Sequence, residues 1–132
     1  MAKRILAASD DSSYSIGNSF DASKRSALDL NIDYVTVFAA NVQGVFVKLE
    51  SIHASTSSVT MKLCTDTAGD EILIPDTQAD ISTGITTTDK GAAVWKIDLD
   101  VYTSAEMYYL FFKTNAGTAT ISDVQMTYSR DV

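Results

Sequence analysis

Apolar and polar side chains alternate in three runs of the chain, residues 45–50, 59–63 and 93–101. Successive side chains of a strand point to opposite faces, so this alternation predicts strands that bury one face and leave the other in water. The third run contains the only tryptophan, Trp95, in phase with the apolar positions. We therefore predict that Trp95 lies in the core.

The run Met107–Thr114 is different, because both of its faces are nearly apolar and each carries aromatic rings. Such a strand is either central in its sheet or covered on its outer face by another chain. A 132-residue sandwich has one core to absorb these side chains. We therefore predict a homo-oligomer, specifically a homotrimer, that buries one of these faces or the aromatic residues near it.

Near the C-terminus the apolar residues change parity between Ile121 and Val124, which predicts a β-bulge at Ser122 and Asp123. Glycine-containing turns at 67–70, 89–91 and 115–117 separate the earlier runs. Together the runs amount to seven or eight short strands in a chain with one proline. This pattern predicts an all-β fold, an antiparallel β-sandwich of jelly-roll-like type.

Residues 1–31 lack such alternation, since Ser and Asp clusters separate isolated apolar residues. We predict an irregular N-terminal arm at 1–31 and a sandwich domain at 32–132, with a short strand at Ile5 and Leu6 and one or two helical turns in 21–30. The arm is too polar to build its own core, so its apolar side chains need another surface, either a partner or the chain's own sandwich. The predicted partner-docking residues are Ile5, Leu6, Tyr14, Ile16 and Phe20.

Composition and charge narrow the function. An apolar content of 45% with 20% charged residues is typical of a packed globular domain. The net charge of −7 argues against a nucleic-acid groove, which needs clustered Lys and Arg. The apolar segment at 5–8 is too short for a signal peptide or a membrane helix, so we expect synthesis in the cytoplasm and no membrane partner.

Candidate chemistry is sparse. His53 is the only histidine and therefore the one conventional general base, but no local spacing pairs it with a nucleophile. Cys64, the only cysteine, excludes an intrachain disulfide, and we predict a buried structural thiol. We expect no catalytic residue, no enzyme activity, no cofactor and no metal site. Calcium held between loops by Asp side chains is the open alternative.

The segment YYLFFKTNAGTATI at 108–121 resembles the C-terminal hairpin of small β-sandwich proteins from tailed-bacteriophage virions. The strand at 91–100 fits the same pattern. This resemblance implies a structural virion protein, specifically a capsid decoration or cement protein that binds and stabilises the phage head lattice. It implies the major capsid protein or another virion protein as partner and a virion location after synthesis in the host cytoplasm.

The alternative is a tail or receptor-binding module that binds carbohydrate through loops at 53–58 or 82–89. A sugar platform normally shows exposed aromatic rings, and Trp95 is predicted to be in the core. The tyrosines that are better candidates for exposed rings are Tyr102, Tyr109 and Tyr128. The N-terminal arm favours the structural protein, because a binding module needs no such arm.

Overall fold

The computed structural model describes residues 3–30, 38–82, 90–103 and 107–131. These ranges contain nine strands and no helix, so none of the described elements crosses a membrane as a helix. The strands are β1 (Lys3–Asp10), β2 (Tyr14–Ile16), β3 (Arg25–Asp29), β4 (Phe38–Glu50), β5 (Ser58–Cys64), β6 (Ile72–Asp80), β7 (Gly91–Thr103), β8 (Met107–Thr114) and β9 (Ala119–Asp131).

The strands form two antiparallel sheets. Sheet A has the order β1-β9-β4-β7, and β2 continues its β1 edge because it also pairs with β9. Sheet B has the order β3-β8-β5-β6. The chain changes sheet at most connections, and two antiparallel layers connected in this way, here of five and four strands, form a jelly roll. The predicted all-β, jelly-roll-like fold is confirmed.

The core lies between the sheets, on the faces that the alternation predicts. Its members from the three alternating runs are Val45, Val47, Leu49, Val59, Met61, Leu63, Ala93 and Trp95, each at most 3% exposed. The Trp95 Nε1–H donates to the Thr77 carbonyl at 2.8 Å, and its ring centroid lies 5.9 Å from that of Phe112. The predicted burial of Trp95 is therefore confirmed, and the indole ties sheet A to sheet B along one edge.

The predicted bulge in β9 is also present. Lys48 of β4 lies opposite Asp123, whereas the next residue, Leu49, lies opposite Ile121. Ser122 is therefore the extra residue. The bulge lets Ile121 and Val124 both face the core, where each is fully buried.

The described part of the predicted arm, residues 3–30, is not irregular, and this expectation is corrected. Eight residues of β1 pair with β9, β2 pairs with β9, and β3 pairs with β8. Strand β3 also replaces the helical turns expected in 21–30. Strands from both sides of the predicted boundary at residue 31 thus share both sheets.

These strands lie at sheet edges, and because few of their described side chains are buried, the sequence pattern did not show them. Among the described side chains of β1 and β2, the buried apolar residues are Ala8 and Ile16. The edge is instead tied by polar contacts, since the Ala27 N–H of sheet B donates to Asp10 Oδ2 of sheet A at 2.7 Å. The predicted short strand at Ile5 and Leu6 lies within β1 and is confirmed.

Candidate docking face on sheet B

The structure separates the five predicted docking residues. Ile16 is buried in the core, and Leu6 and Tyr14 are half-buried against it. Ile5 lies in β1, but its side chain is outside the described part of the structure. Phe20, which is half-buried, lies on the outer face of sheet B over lysine side chains. Of the described members, Phe20 therefore reaches an outer sheet face, while the others contribute to the fold of their own chain.

One row of side chains across the outer face of sheet B is apolar from edge to edge. Cross-strand pairing aligns Ala27 of β3 with Tyr109 of β8, then Cys64 of β5, then Ile72 of β6. Cys64 is buried, Ala27 and Tyr109 are half-buried, and Ile72 is 50% exposed. This apolar row is a surface that a partner can bury.

The adjacent row carries cations that lie over aromatic rings. Arg25 and Lys62 flank Phe111 in register. The Arg25 guanidinium carbon lies 5.6 Å from the ring centroid of Tyr109. Lys62 Nζ lies 5.4 Å from the centroid of Phe111. Three of the chain's ten Lys and Arg residues, counting Lys113, thus occupy this surface of an acidic protein.

Phe20 lies between two of these cations, with Lys62 Nζ 4.5 Å and Lys113 Nζ 4.7 Å from its ring centroid. Such contacts are worth about 0.5–1 kcal/mol each at exposed sites, so they hold both ammonium groups and the 17–24 loop against the sheet. We call this surface the docking face. Its residues are Phe20, Arg25, Ala27, Lys62, Cys64, Ile72, Tyr109, Phe111 and Lys113.

The docking face also explains part of the apolar outer side of β8 (Met107–Thr114), the strand with two apolar faces. Phe111 is 1% exposed although it lies outside the main core. The turn at 65–70 covers it: Lys62 Nζ donates to the Gly69 carbonyl at 2.9 Å, and a Cβ on Gly69 would lie 3.4 Å from the Phe111 ring. The chain therefore covers Phe111 itself, while Tyr109 and Met107 stay half-buried.

Local electrostatics stabilise this turn. Asp66 accepts hydrogen bonds from the backbone N–H groups of Glu71 and Asp70 at 3.0 Å. These bonds, that from Glu71 foremost, hold the pKa of the Asp66 carboxyl below its ordinary value. Burial raises the pKa of the Cys64 thiol, so the structure agrees with a structural cysteine.

His53 makes one contact that its sequence spacing did not indicate. It is exposed, and its Nδ1 lies 2.7 Å from the hydroxyl of Ser55. Across the described ranges no hydrogen bond joins His53 to a carboxylate, which a triad needs to orient the imidazole. The contact belongs to a loop that packs on the turn at 115–118, where the Thr56 hydroxyl donates to the Ala116 carbonyl at 2.6 Å.

The remaining candidates are the tyrosines, the loop and the Asp side chains considered for carbohydrate or calcium binding. Tyr128, predicted as an exposed ring, is 1% exposed and its hydroxyl donates to the Leu30 carbonyl, so that prediction is wrong. The Tyr102 side chain and loop residues 83–89 are outside the described residues. Asp98 and Asp100 both accept from the Asn41 amide, at 2.9 and 3.2 Å. In the described part of the chain no three His, Cys, Asp or Glu residues are grouped to hold a metal ion.

No protein-family model and no curated protein matches this chain. Among solved structures it is similar to the infectious bursal disease virus VP2 subviral particle, at 16% identity and TM-score 0.37, over 95% of this chain and 32% of that one. It is also similar to the C-terminal CBM6 of LamC from Zobellia galactanivorans, at 12% identity and TM-score 0.40, over 94% and 99%.

A third similar structure is Triatoma virus, at 11% identity and TM-score 0.33, over 97% of this chain and 63% of that one. The chain spans about a third of the length of the VP2 chains. These structures are thus viral particles and a carbohydrate-binding module. Their similarity at such scores carries no argument about function, which has to come from the surface residues of this chain.

Proposed function

We propose that this chain is a non-catalytic structural protein of a virion, a decoration protein that attaches to a capsid lattice through the docking face. The supporting observation is the docking face itself, where an apolar row that ends in the exposed Ile72 lies beside a row of cations on one side of sheet B. Tyrosine and arginine, both present there, are enriched in protein interfaces.

The distribution of charge indicates which face of the chain approaches the partner. The chain carries a net charge of −7, so most of its surface repels an acidic lattice. Arg25 and Lys62 supply positive charge on the docking face, while Lys113 pairs with Asp76 at 3.8 Å, so this face can approach such a partner. Burial of Ile72 and Tyr109 then supplies the affinity, while the charges set orientation and association rate. The expected partner is a major capsid protein, or another virion protein, with an apolar patch rimmed by Asp and Glu.

Rebinding to purified particles that lack the protein tests this proposal. The wild-type chain should bind in a fixed ratio to the capsid protein, measured by quantitative mass spectrometry after sedimentation. Ile72→Asp should lose at least tenfold in occupancy. Val94→Asp is the matched control, because Val94 is equally exposed, 52% against 50%, but lies on sheet A. Absence of the protein from particles, or normal occupancy of Ile72→Asp, would contradict the proposal.

Carbohydrate binding is the second candidate, favoured by a polar cleft of about 270 Å³ beside the 17–24 loop. Asn18, Ser19, Asp21 and Lys24 line it, and Phe112 lies at its wall. This cleft is not at the loops predicted from the sequence. A glycan array with the wild-type chain and Asn18→Ala tests it: retention of a glycan that Asn18→Ala abolishes would move the assignment to a binding module.

A further inference from the structure

The outer face of sheet A has a different chemistry from the docking face. Its central positions are uncharged apart from Lys96, and Val94 is 52% exposed with half-buried Phe46 beside it in register. A shallow groove of about 260 Å³ runs past both side chains. We call this surface the neutral face. Its central residues are Ala7, Ser9, Gly44, Phe46, Val94, Gln125 and Thr127.

Lys48 and Asp123 form a pair of opposite charges at one border of the neutral face, and Lys96, Asp98 and Asp100 follow Val94 on the same face of β7. Lys48 of β4 and Asp123 of β9 lie opposite each other on neighbouring strands, one row from Phe46. No ion pair joins them in the described part of the chain, where the Lys113–Asp76 contact is the ion pair present. Both charges therefore remain available to groups that face the sheet.

We propose that a second copy of this chain packs on the neutral face, sheet A against sheet A, about a two-fold axis parallel to the strands between β4 and β9. Such an axis exchanges the positions of β4 and β9. Lys48 of one copy then faces Asp123 of the other, and the reverse pair forms by symmetry. Val94 faces Ser9 of the other copy, so no like charges oppose each other near the centre.

Charge selects a second copy over a different protein. Two chains of net charge −7 repel each other over most of their surfaces. The neutral face lowers that repulsion at its centre, and Lys48 and Asp123 are complementary to the same pair on a second copy after rotation. A basic partner would gain little there, since Lys48 and Lys96 lie on this face as well.

The size of the face sets the strength of the contact. Four strands about 4.8 Å apart and about eight residues long give about 500 Å² per copy. Two such faces bury about 1,000 Å² in total, the lower limit for a specific interface. We therefore expect a dimer that dissociates in the micromolar range. The docking faces of both copies point outward, so this inference goes beyond the proposed function and does not depend on it.

Sedimentation equilibrium of the full chain, across the micromolar range and with no particle present, tests the dimer. The mass should rise from 14.2 kDa to twice that value with concentration. Val94→Asp should stay monomeric, whereas Ile72→Asp, equally exposed on sheet B, should associate like wild type. Circular dichroism melts of both variants confirm that they fold.

A charge exchange tests the two-fold axis. Lys48→Glu or Asp123→Lys alone should weaken association at least tenfold, because each places like charges opposite each other. The double variant Lys48→Glu/Asp123→Lys should restore it. A monomer at all concentrations, a mass of three chains as in the homotrimer predicted from the sequence, loss of association in Ile72→Asp, or a double variant that stays monomeric would overturn the inference. None of these outcomes bears on particle attachment, which has its own assay.

Discussion

The two sheets present similar faces to the core and different faces to the solvent. On the docking face of sheet B, cations lie over aromatic rings and the turn at 65–70 covers Phe111. On the neutral face of sheet A, Phe46 and Val94 lie side by side among mostly uncharged residues, and Lys48 and Asp123 at the border form no ion pair within the described ranges. The core requires neither arrangement. We therefore expect any partner of this jelly roll to be selected by the outward-facing residues that the core does not require.

The largest expected effect tests the assignment of neighbouring β7 residues to the core and to the outer face of sheet A. Trp95→Ala should lower the free energy of unfolding by about 3–5 kcal/mol, because it leaves a cavity between the sheets and the Thr77 carbonyl without its donor. Val94→Ala, one residue away on the outer face, should change it by less than about 0.5 kcal/mol. Urea denaturation of both variants measures this, and equal losses would contradict the face assignment.

A second pair compares the outer faces directly. Phe111→Ala should cost about 3 kcal/mol, since the ring is buried beneath the 65–70 turn. Phe46→Ala, at a half-buried ring on the neutral face, should cost at most about half as much. Thermal and urea unfolding provide both values. A larger loss of stability for Phe46→Ala than for Phe111→Ala would contradict the burial of Phe111 beneath the 65–70 turn.

A third change loosens the cover of the docking face. Gly69 has a φ of +81°, and a Cβ there would lie 3.2 Å from Lys62 Nζ. Gly69→Ala should therefore cost about 1 kcal/mol by backbone strain alone. Gly17→Ala is the control, because a Cβ there has no neighbour within 4 Å. Hydrogen exchange should show faster opening at 65–70 in Gly69→Ala; equal protection in both variants would refute the packed turn.

The smallest effect concerns the edge where the sheets join. Burial opposes ionisation of Asp10, but hydrogen bonds from Ser12 and from the Ala27 N–H outweigh it and lower the pKa of the carboxyl. Its stabilisation should be complete above the unfolded pKa of about 3.9 and lost as pH falls through the lower folded pKa. Asp10→Asn should therefore be less stable than wild type at neutral pH, with the gap closing in acid.

Chemical denaturation from neutral to acidic pH measures the difference in free energy of unfolding between wild type and Asp10→Asn. Asp11→Asn removes an equal charge one residue away and is the control. If the stability difference for Asp10→Asn widened in acid, the lowered pKa of Asp10 would be contradicted. An equal difference for Asp10→Asn and Asp11→Asn would contradict the link between Asp10 and Ala27.

Sequence alone predicted the parts of the fold in which alternate residues are buried. The inward faces of β4, β5 and β7 and the bulge at Ser122 follow from period-two patterns, and the structure confirms them. Strands β2 and β3 were not predicted, because their patterns are short and interrupted. Ile16 was read as an isolated apolar residue and Leu28 as part of a helical turn, yet each is buried by a strand of its own.

The candidate site was harder to predict, because it depends on pairing between distant strands. Nothing in the sequence aligns Ala27 with Tyr109 and Ile72, residues far apart in the chain that register brings into one row. The two-sided character of Met107–Thr114 was the available signal. It indicated an outer cover for β8 but not that the 65–70 turn supplies part of it.

Hydroxyl-radical footprinting of the free and particle-bound protein, at a concentration where the free chain is monomeric, tests the central claim most directly. It reports the solvent exposure of both outer faces in one experiment. Attachment through sheet B predicts protection of Met107, Tyr109 and Ile72, with Phe46 oxidised as fast as before. Protection of Phe46 and Val94, with Met107, Tyr109 and Ile72 unchanged, would show that the particle binds the neutral face and would contradict the account.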